Sequence, residues 1–148
     1  MKIGDSVACA RIARGISVAL SERERVLAQR EIVVGLSLRI IEMIRDSYLP
    51  GMGLPDSALL LMIAMKIFQR QRKGSRTTIS ALSRALEMSR PTLYRRLAQL
   101  IKRGLIVKQG QSYVICLDTL NSPQAVRDFK RRVAVILEGA QKLSKLDT

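Results

Sequence analysis

The sequence predicts a mainly α-helical protein with one small β-hairpin. Three observations carry this. Apolar residues recur at helical spacing in successive stretches between residues 21 and 145. Strand-like alternation appears around a turn glycine in LIVKQGQSYVICL at 105–117. Aromatics make up 3% of the 148 residues, so aliphatic side chains must build the core, and a hydrophobic content of 47% is too high for a disordered chain. The length fits one domain, or one compact core with added helices.

Residues 1–20 hold two glycines and several small residues, and read as an arm, flexible or with a short helix. Arg11 and Arg14 there either touch phosphates or belong to a frayed terminus. A first long helix starts at SERE, where Ser21 and Glu24 form a capping box, and runs to about Tyr48. Its stripe is Val26, Val33, Ile40, Ile41 and Ile44, while Ile32, Val34, Leu36 and Leu38 fall outside it. So broad an apolar surface predicts burial on two sides. PGMGLP at 50–55 breaks the helix, and Asp56 is placed to cap a second one running to about Arg72.

KGSR at 73–76 is a loop. Thr77 and Thr78 are expected to add a very short strand before Thr78 caps a helix over 79–87. Ser89 is the N-cap of the next helix, 90–103, with Pro91 in its first turn, where a missing N–H costs nothing. Gly104 suits the left-handed position past its end. In the hairpin, Leu105 and Val107 alternate with Ile106 and Lys108, and Tyr113, Ile115 and Leu117 alternate with Val114 and Cys116. A last helix begins near Ser122-Pro123 with a heptad-like seam of Val126, Phe129, Val133, Ile136, Ala140 and Leu143. That seam packs on the first helix, on a partner's helix, or on both.

The charge is concentrated. Of 26 Lys and Arg against 12 acids, 11 cations and a single acid, Glu87, fall within 70–108. A net charge of +14 with a pI near 10.9 points to a polyanion, either nucleic acid or an anionic membrane surface. The basic helix argues against the membrane, because its apolar residues Leu93, Leu97, Leu100 and Ile101 are committed to Leu82 and Leu86 of the helix before it, with Met88 plugging the junction.

That pair is a helix–turn–helix, and the hairpin after it makes a wing. Arg90, Thr92, Tyr94, Arg95 and Gln99 are left toward solvent, as on a recognition helix whose N-terminal end meets base edges. Ser89, Pro91 and the first-turn N–H groups suit a phosphate, and Arg96 is one step round, toward the backbone of the duplex. Lys108, Gln109 and Gln111 at the wing tip, and Arg76 and Thr78 ahead of the unit, complete the candidate DNA-binding residues. Tyr94 either bonds phosphate or caps the groove between the helices. The cluster Arg70, Arg72, Lys73 and Arg76 serves loop solubility or phosphate contact.

TTISALSRALEMSRPTLYRRLAQLIKRGLIVKQGQSYVICL (77–117) resembles the winged helix–turn–helix of bacterial transcription regulators, and the layout of the whole chain resembles the MarR family. The resemblance implies a homodimer on a pseudo-palindromic operator in double-stranded DNA, with terminal helices interlocked. The expected organisation is then an arm (1–20), a long helix and linker for dimerisation (21–54), a DNA-binding domain (55–118) and a C-terminal dimerisation helix (119–148). Two features depart from MarR. The wing turns at once through Gln109-Gly110, without an Asp-x-Arg motif, and Glu87 stands where many relatives place Gly.

Other classes fare worse. With no His, no metal-ligand spacing, no phosphate loop and no nucleophile beside a base, neither an enzyme, a metal nor a cofactor is expected. Cys9 and Cys116 form no disulfide framework, and with no secretory signal and no apolar run of about 20 residues the expected location is the cytoplasm. Met52, Met62 and Met65 line an effector pocket or simply fill core. The alternative function is a winged-helix protein of architecture or replication that grips DNA without choosing a sequence.

Overall fold

The structure, a computed structural model, describes residues 20–147. The arm through residue 19, with Cys9, Arg11 and Arg14, lies outside the described residues. The elements are α1 (Glu22–Tyr48), α2 (Leu54–Arg72), α3 (Ile79–Leu86), α4 (Arg90–Lys102), β1 (Ile106–Gln109), β2 (Ser112–Ile115), α5 (Leu117–Leu120) and α6 (Pro123–Asp147). The fold is mostly helical, with one antiparallel two-stranded sheet after the helix–turn–helix.

The capping box forms as expected. The Glu24 N–H donates to Ser21 Oγ at 3.2 Å, and the Ser21 N–H donates to Glu24 Oε2 at 2.9 Å. The bond from the Ser21 backbone, then the one with its hydroxyl, holds the Glu24 carboxyl below the ordinary glutamate value. The start of α2 differs from expectation. Gly53 is its N-cap, Pro55 lies in the first turn, and Asp56 sits inside the helix. Proline needs no N–H partner there, so the helix gains a turn before Asp56 and uses that carboxylate as a first-turn anion at the positive dipole end.

The core gathers Leu60, Ile63 and Ile67 of α2, Leu82 of α3, Leu93, Leu97 and Leu100 of α4, and Ile106, Tyr113 and Ile115 of the hairpin. Leu49, just after α1, is also fully buried in it. No third strand forms at Thr77-Thr78. Thr77 instead accepts one bond, from the Tyr113 N–H at 2.9 Å, and Thr78 caps α3 through the Ala81 N–H at 3.2 Å. The next free donor on that strand edge, the Ile115 N–H, goes to the Gln71 side chain at 2.8 Å. The edge of the wing is thus satisfied by one carbonyl and one side chain in place of a strand.

Strand phase is the second difference. Leu105 and Ile106 are both buried and Val107 is exposed. Leu105 precedes β1, and its N–H closes the end of α4 on the Leu100 carbonyl at 3.1 Å, so alternation starts only at Ile106. Leu117 is 52% exposed because it opens α5, a short helix where continued strand was expected.

Helices α1 and α6 pack antiparallel, since Gln29 meets Asp147 at one end and Ser47 meets Asp128 at the other. The line of α6 facing α1 is Ala125, Arg132 and Gly139, spaced seven apart and all buried. At Gly139 a Cβ would lie 2.8 Å from Leu36 Cδ2, so the glycine permits the close approach. The heptad seam faces elsewhere. Val126, Phe129, Val133 and Ile136 remain 37–57% exposed. No residue of α1 is buried either, and Leu27, Val34 and Leu38 on it are about half exposed.

Candidate nucleic-acid interface

Three ties fix the turn between α3 and α4. Glu87 ends α3 in the left-handed region, at φ 54° and ψ 41°. The Ser83 hydroxyl donates to the Met88 carbonyl at 2.6 Å, and the Met88 N–H returns to the Ser83 carbonyl at 3.2 Å. Arg90 reaches back across the turn and donates from Nη2 to Ser80 Oγ at 2.9 Å. With Leu93, Leu97 and Leu100 buried, the opposite side of α4 faces outward, as helical spacing requires.

On that outward side Arg90, Pro91, Tyr94, Arg95 and Gln99 are exposed, and Thr92 is half-buried. Ile101 is 42% exposed, so it is not part of the apolar lock expected of it. Ser89 is the N-cap residue, but its hydroxyl donates to Thr92 Oγ1 at 2.9 Å and caps no backbone donor. The uncapped first turn of α4 is therefore a set of N–H groups at a positive dipole end. Gly104, at φ 75°, closes the other end.

Arg96 is placed differently from its neighbours. It donates from Nη1 to Gln99 Oε1 at 3.3 Å and pairs through Nη2 with Asp56 at 3.7 Å. It thereby braces α4 against the start of α2. Arg70 is likewise turned inward, holding the Arg76 carbonyl at 2.7 Å. Arg72, Lys73 and Arg76 remain exposed beside it.

The wing turns through Gly110-Gln111, with Gln109 paired to Ser112 and Gly110 at φ 59°, the positive φ that a two-residue hairpin requires. Lys108, Gln109 and Gln111 are exposed at or near its tip, with Lys108 Nζ 5.8 Å from the centre of the Tyr113 ring. Burial pushes the Tyr113 hydroxyl above its ordinary value, and nearby Tyr94 adds to this. Sequence reasoning missed Tyr113 and Gln71. An alternating strand does point Tyr113 inward, but nothing in the pattern marks Gln71 as a strand-edge acceptor.

Of the other methionines singled out in the sequence, Met62 and Met65 are exposed on α2 and Met52 packs against the core. Cys116 is half-buried and precedes α5, where hydrogen bonds with Thr119 hold its thiol below the ordinary value. No helix among the described residues is long and apolar enough to cross a membrane.

A helix–turn–helix locked by leucines, a second helix with a basic outward side and a hairpin beside it define a winged helix–turn–helix domain. Residues 62–110 match the model of the IclR helix-turn-helix domain, from the middle of α2 to the turn of the wing. That stretch is therefore similar to an IclR-type DNA-binding domain, of the winged helix–turn–helix class found in transcription regulators, and the match does not single out the MarR family. No curated protein and no solved structure matches the chain.

Proposed function

We propose that the protein is a sequence-specific regulator that binds double-stranded DNA as a homodimer on a pseudo-palindromic operator. The observation that carries the reading is the outward side of α4. Arg95 is exposed there with no hydrogen bond or ion pair among the described residues, beside Thr92, Gln99 and Arg90. Arginine donates two hydrogen bonds to guanine O6 and N7, and threonine touches a thymine methyl. Ser89, Pro91 and the uncapped first turn seat a phosphate, with Arg76, Thr78 and the wing residues Lys108, Gln109 and Gln111 along the flanking backbone. Arg96 supports the reader helix from behind through Asp56. Arg90 must exchange its bond to Ser80 for one to DNA, so its net gain is smaller than that of Arg95.

The dimer reading rests on uncovered apolar surface. Phe129, Ile136 and Leu137 of α6 are 57%, 46% and 59% exposed, and no residue of α1 is fully buried within the chain. Contiguous apolar surface of this kind marks an interface. A second copy supplies the matching seam, and two copies related by a two-fold axis present two reader helices to two half-sites.

The experiment is a pair of alanine substitutions, Arg95→Ala and Arg90→Ala, titrated against a selected operator and a random duplex. Arg95→Ala is expected to cost roughly 1–3 kcal/mol on the operator and much less on random DNA, with the smaller effect at Arg90. Equal losses on both duplexes would make these arginines phosphate contacts and refute base reading.

A further inference from the structure

Beside the buried line of α6 lies a cavity of about 320 Å³, walled by Met43, Asp46 and Ser47 of α1 and by Gln124, Asp128, Arg131 and Arg132 of α6. At 3.6 residues per turn, Gln124, Asp128 and Arg131 fall on one flank of the Ala125–Arg132–Gly139 line, and the apolar seam falls on the other. The cavity is therefore outside the proposed dimer contact.

Its charges are unequally matched. Asp46 pairs with Arg45 at 3.1 Å. Asp128 accepts from Ser47 at 3.0 Å and Gln124 at 2.8 Å, and has Arg131 at 3.8 Å. Arg132 is only 8% exposed, yet no carboxylate lies within ion-pair distance of it among the described residues. It donates one hydrogen bond, from Nη1 to Ser47 Oγ at 3.2 Å, and its guanidinium lies 5.7 Å from the Tyr48 ring and 5.8 Å from the Phe129 ring. Arg132 lines the cavity, and the N–H groups that Ser47 leaves unused are not sealed off from it, so an anion entering the cavity can accept from them.

We infer that this cavity between α1 and α6 binds a small polar carboxylate, with Arg132 as the anion-binding residue. The carboxylate takes the open edge of the guanidinium, and Gln124, whose amide already donates to Asp128 and accepts from Arg127, offers its second N–H to a hydroxyl on the ligand. The charged side chains of the wall and the modest volume suit a small polar ligand better than a large apolar one. Occupancy pulls on a guanidinium that touches two consequential rings. Tyr48 directly precedes Leu49 in the core of the DNA-binding domain, and Phe129 belongs to the exposed seam.

The test is titration of the full chain, without DNA, with lactate, its neutral amide lactamide and inorganic phosphate, followed at the Arg132 Nε–Hε resonance. A saturable shift with lactate and none with lactamide is expected. Arg132→Gln, checked by circular dichroism for its fold, should weaken lactate binding about ten- to a hundredfold, the range for a hydrogen bond to a charged group. Gln124→Ala at the exposed rim is a milder variant and should weaken it severalfold. No saturable shift with lactate, an equal shift with lactamide, or tighter binding of inorganic phosphate would each overturn the assignment. The wild-type resonance decides the matter if Arg132→Gln fails to fold.

Discussion

Replacing Gln71 by Met isolates the contact that joins the wing to α2. Met is unbranched and close in size, so packing is nearly kept while the amide oxygen is lost. The Ile115 N–H, which donates to that oxygen at 2.8 Å, is left in a residue only 7% exposed, with no other strand beside it. A buried donor stripped of its acceptor costs about 1–3 kcal/mol. Tyr113 keeps its bond to the Thr77 carbonyl, so the damage is confined to the far end of β2. Urea unfolding of the variant should show a lower midpoint at unchanged slope. Amide exchange should quicken at Ile115 and stay slow at Tyr113. Unchanged stability together with unchanged protection at Ile115 would refute the idea that Gln71 stands in for a missing strand.

Other outcomes are expected from single contacts. Glu87→Gly should raise stability by about 1 kcal/mol, read as a higher melting temperature, because a left-handed φ of 54° costs a side-chain residue what it does not cost glycine. An unchanged or lower melting temperature would mean the added backbone entropy of glycine offsets the relief. Ile136→Glu should break the proposed dimer, halving the mass seen by light scattering, since it puts a charge in the exposed seam of α6. Retention of the dimer would place the contact elsewhere. Asp128 has a lowered folded pKa, first through its bond with the Ser47 hydroxyl. Its contribution is therefore present above the ordinary aspartate pKa of about 3.9 and lost as pH falls through the lower folded value. The stability difference between the wild type and Asp128→Asn should shrink as pH drops through that window, and a difference flat with pH would contradict this.

What could be read in the sequence follows a physical pattern. Local chemistry was legible. Ser21 with Glu24, Thr78, Gly104 and Gly110 each satisfy backbone groups within a few residues of themselves, and each does so as spacing alone requires. The lock of Leu82 against Leu93, Leu97 and Leu100 was legible because a buried helix face repeats along the chain. Choices between two adequate surfaces were not legible. Helix α6 offers an apolar seam and a line of Ala125, Arg132 and Gly139, and it turns the second to α1 because small residues let the helices approach closely. A hydrophobicity count cannot see that preference, although the sevenfold spacing of Ala125 and Gly139 around Arg132 is a signal that could have. Side-chain ties across the fold were also hidden. Gln71 on the Ile115 amide, Arg96 on Asp56 and Arg90 on Ser80 involve exposed-looking polar residues, at least ten positions apart, that no period connects.

The proposed function requires α4 to read base edges and not merely to grip the backbone. The most direct measurement is binding of the full chain to a selected operator and to random duplex, each over a salt series. Phosphate contacts weaken together on both duplexes as salt rises, whereas base contacts set the ratio between them. A specificity ratio of about 10³ or more is expected, persisting as both affinities fall with salt. Equal binding to every duplex, vanishing as salt rises, would contradict it and leave a winged helix that holds DNA by its backbone alone.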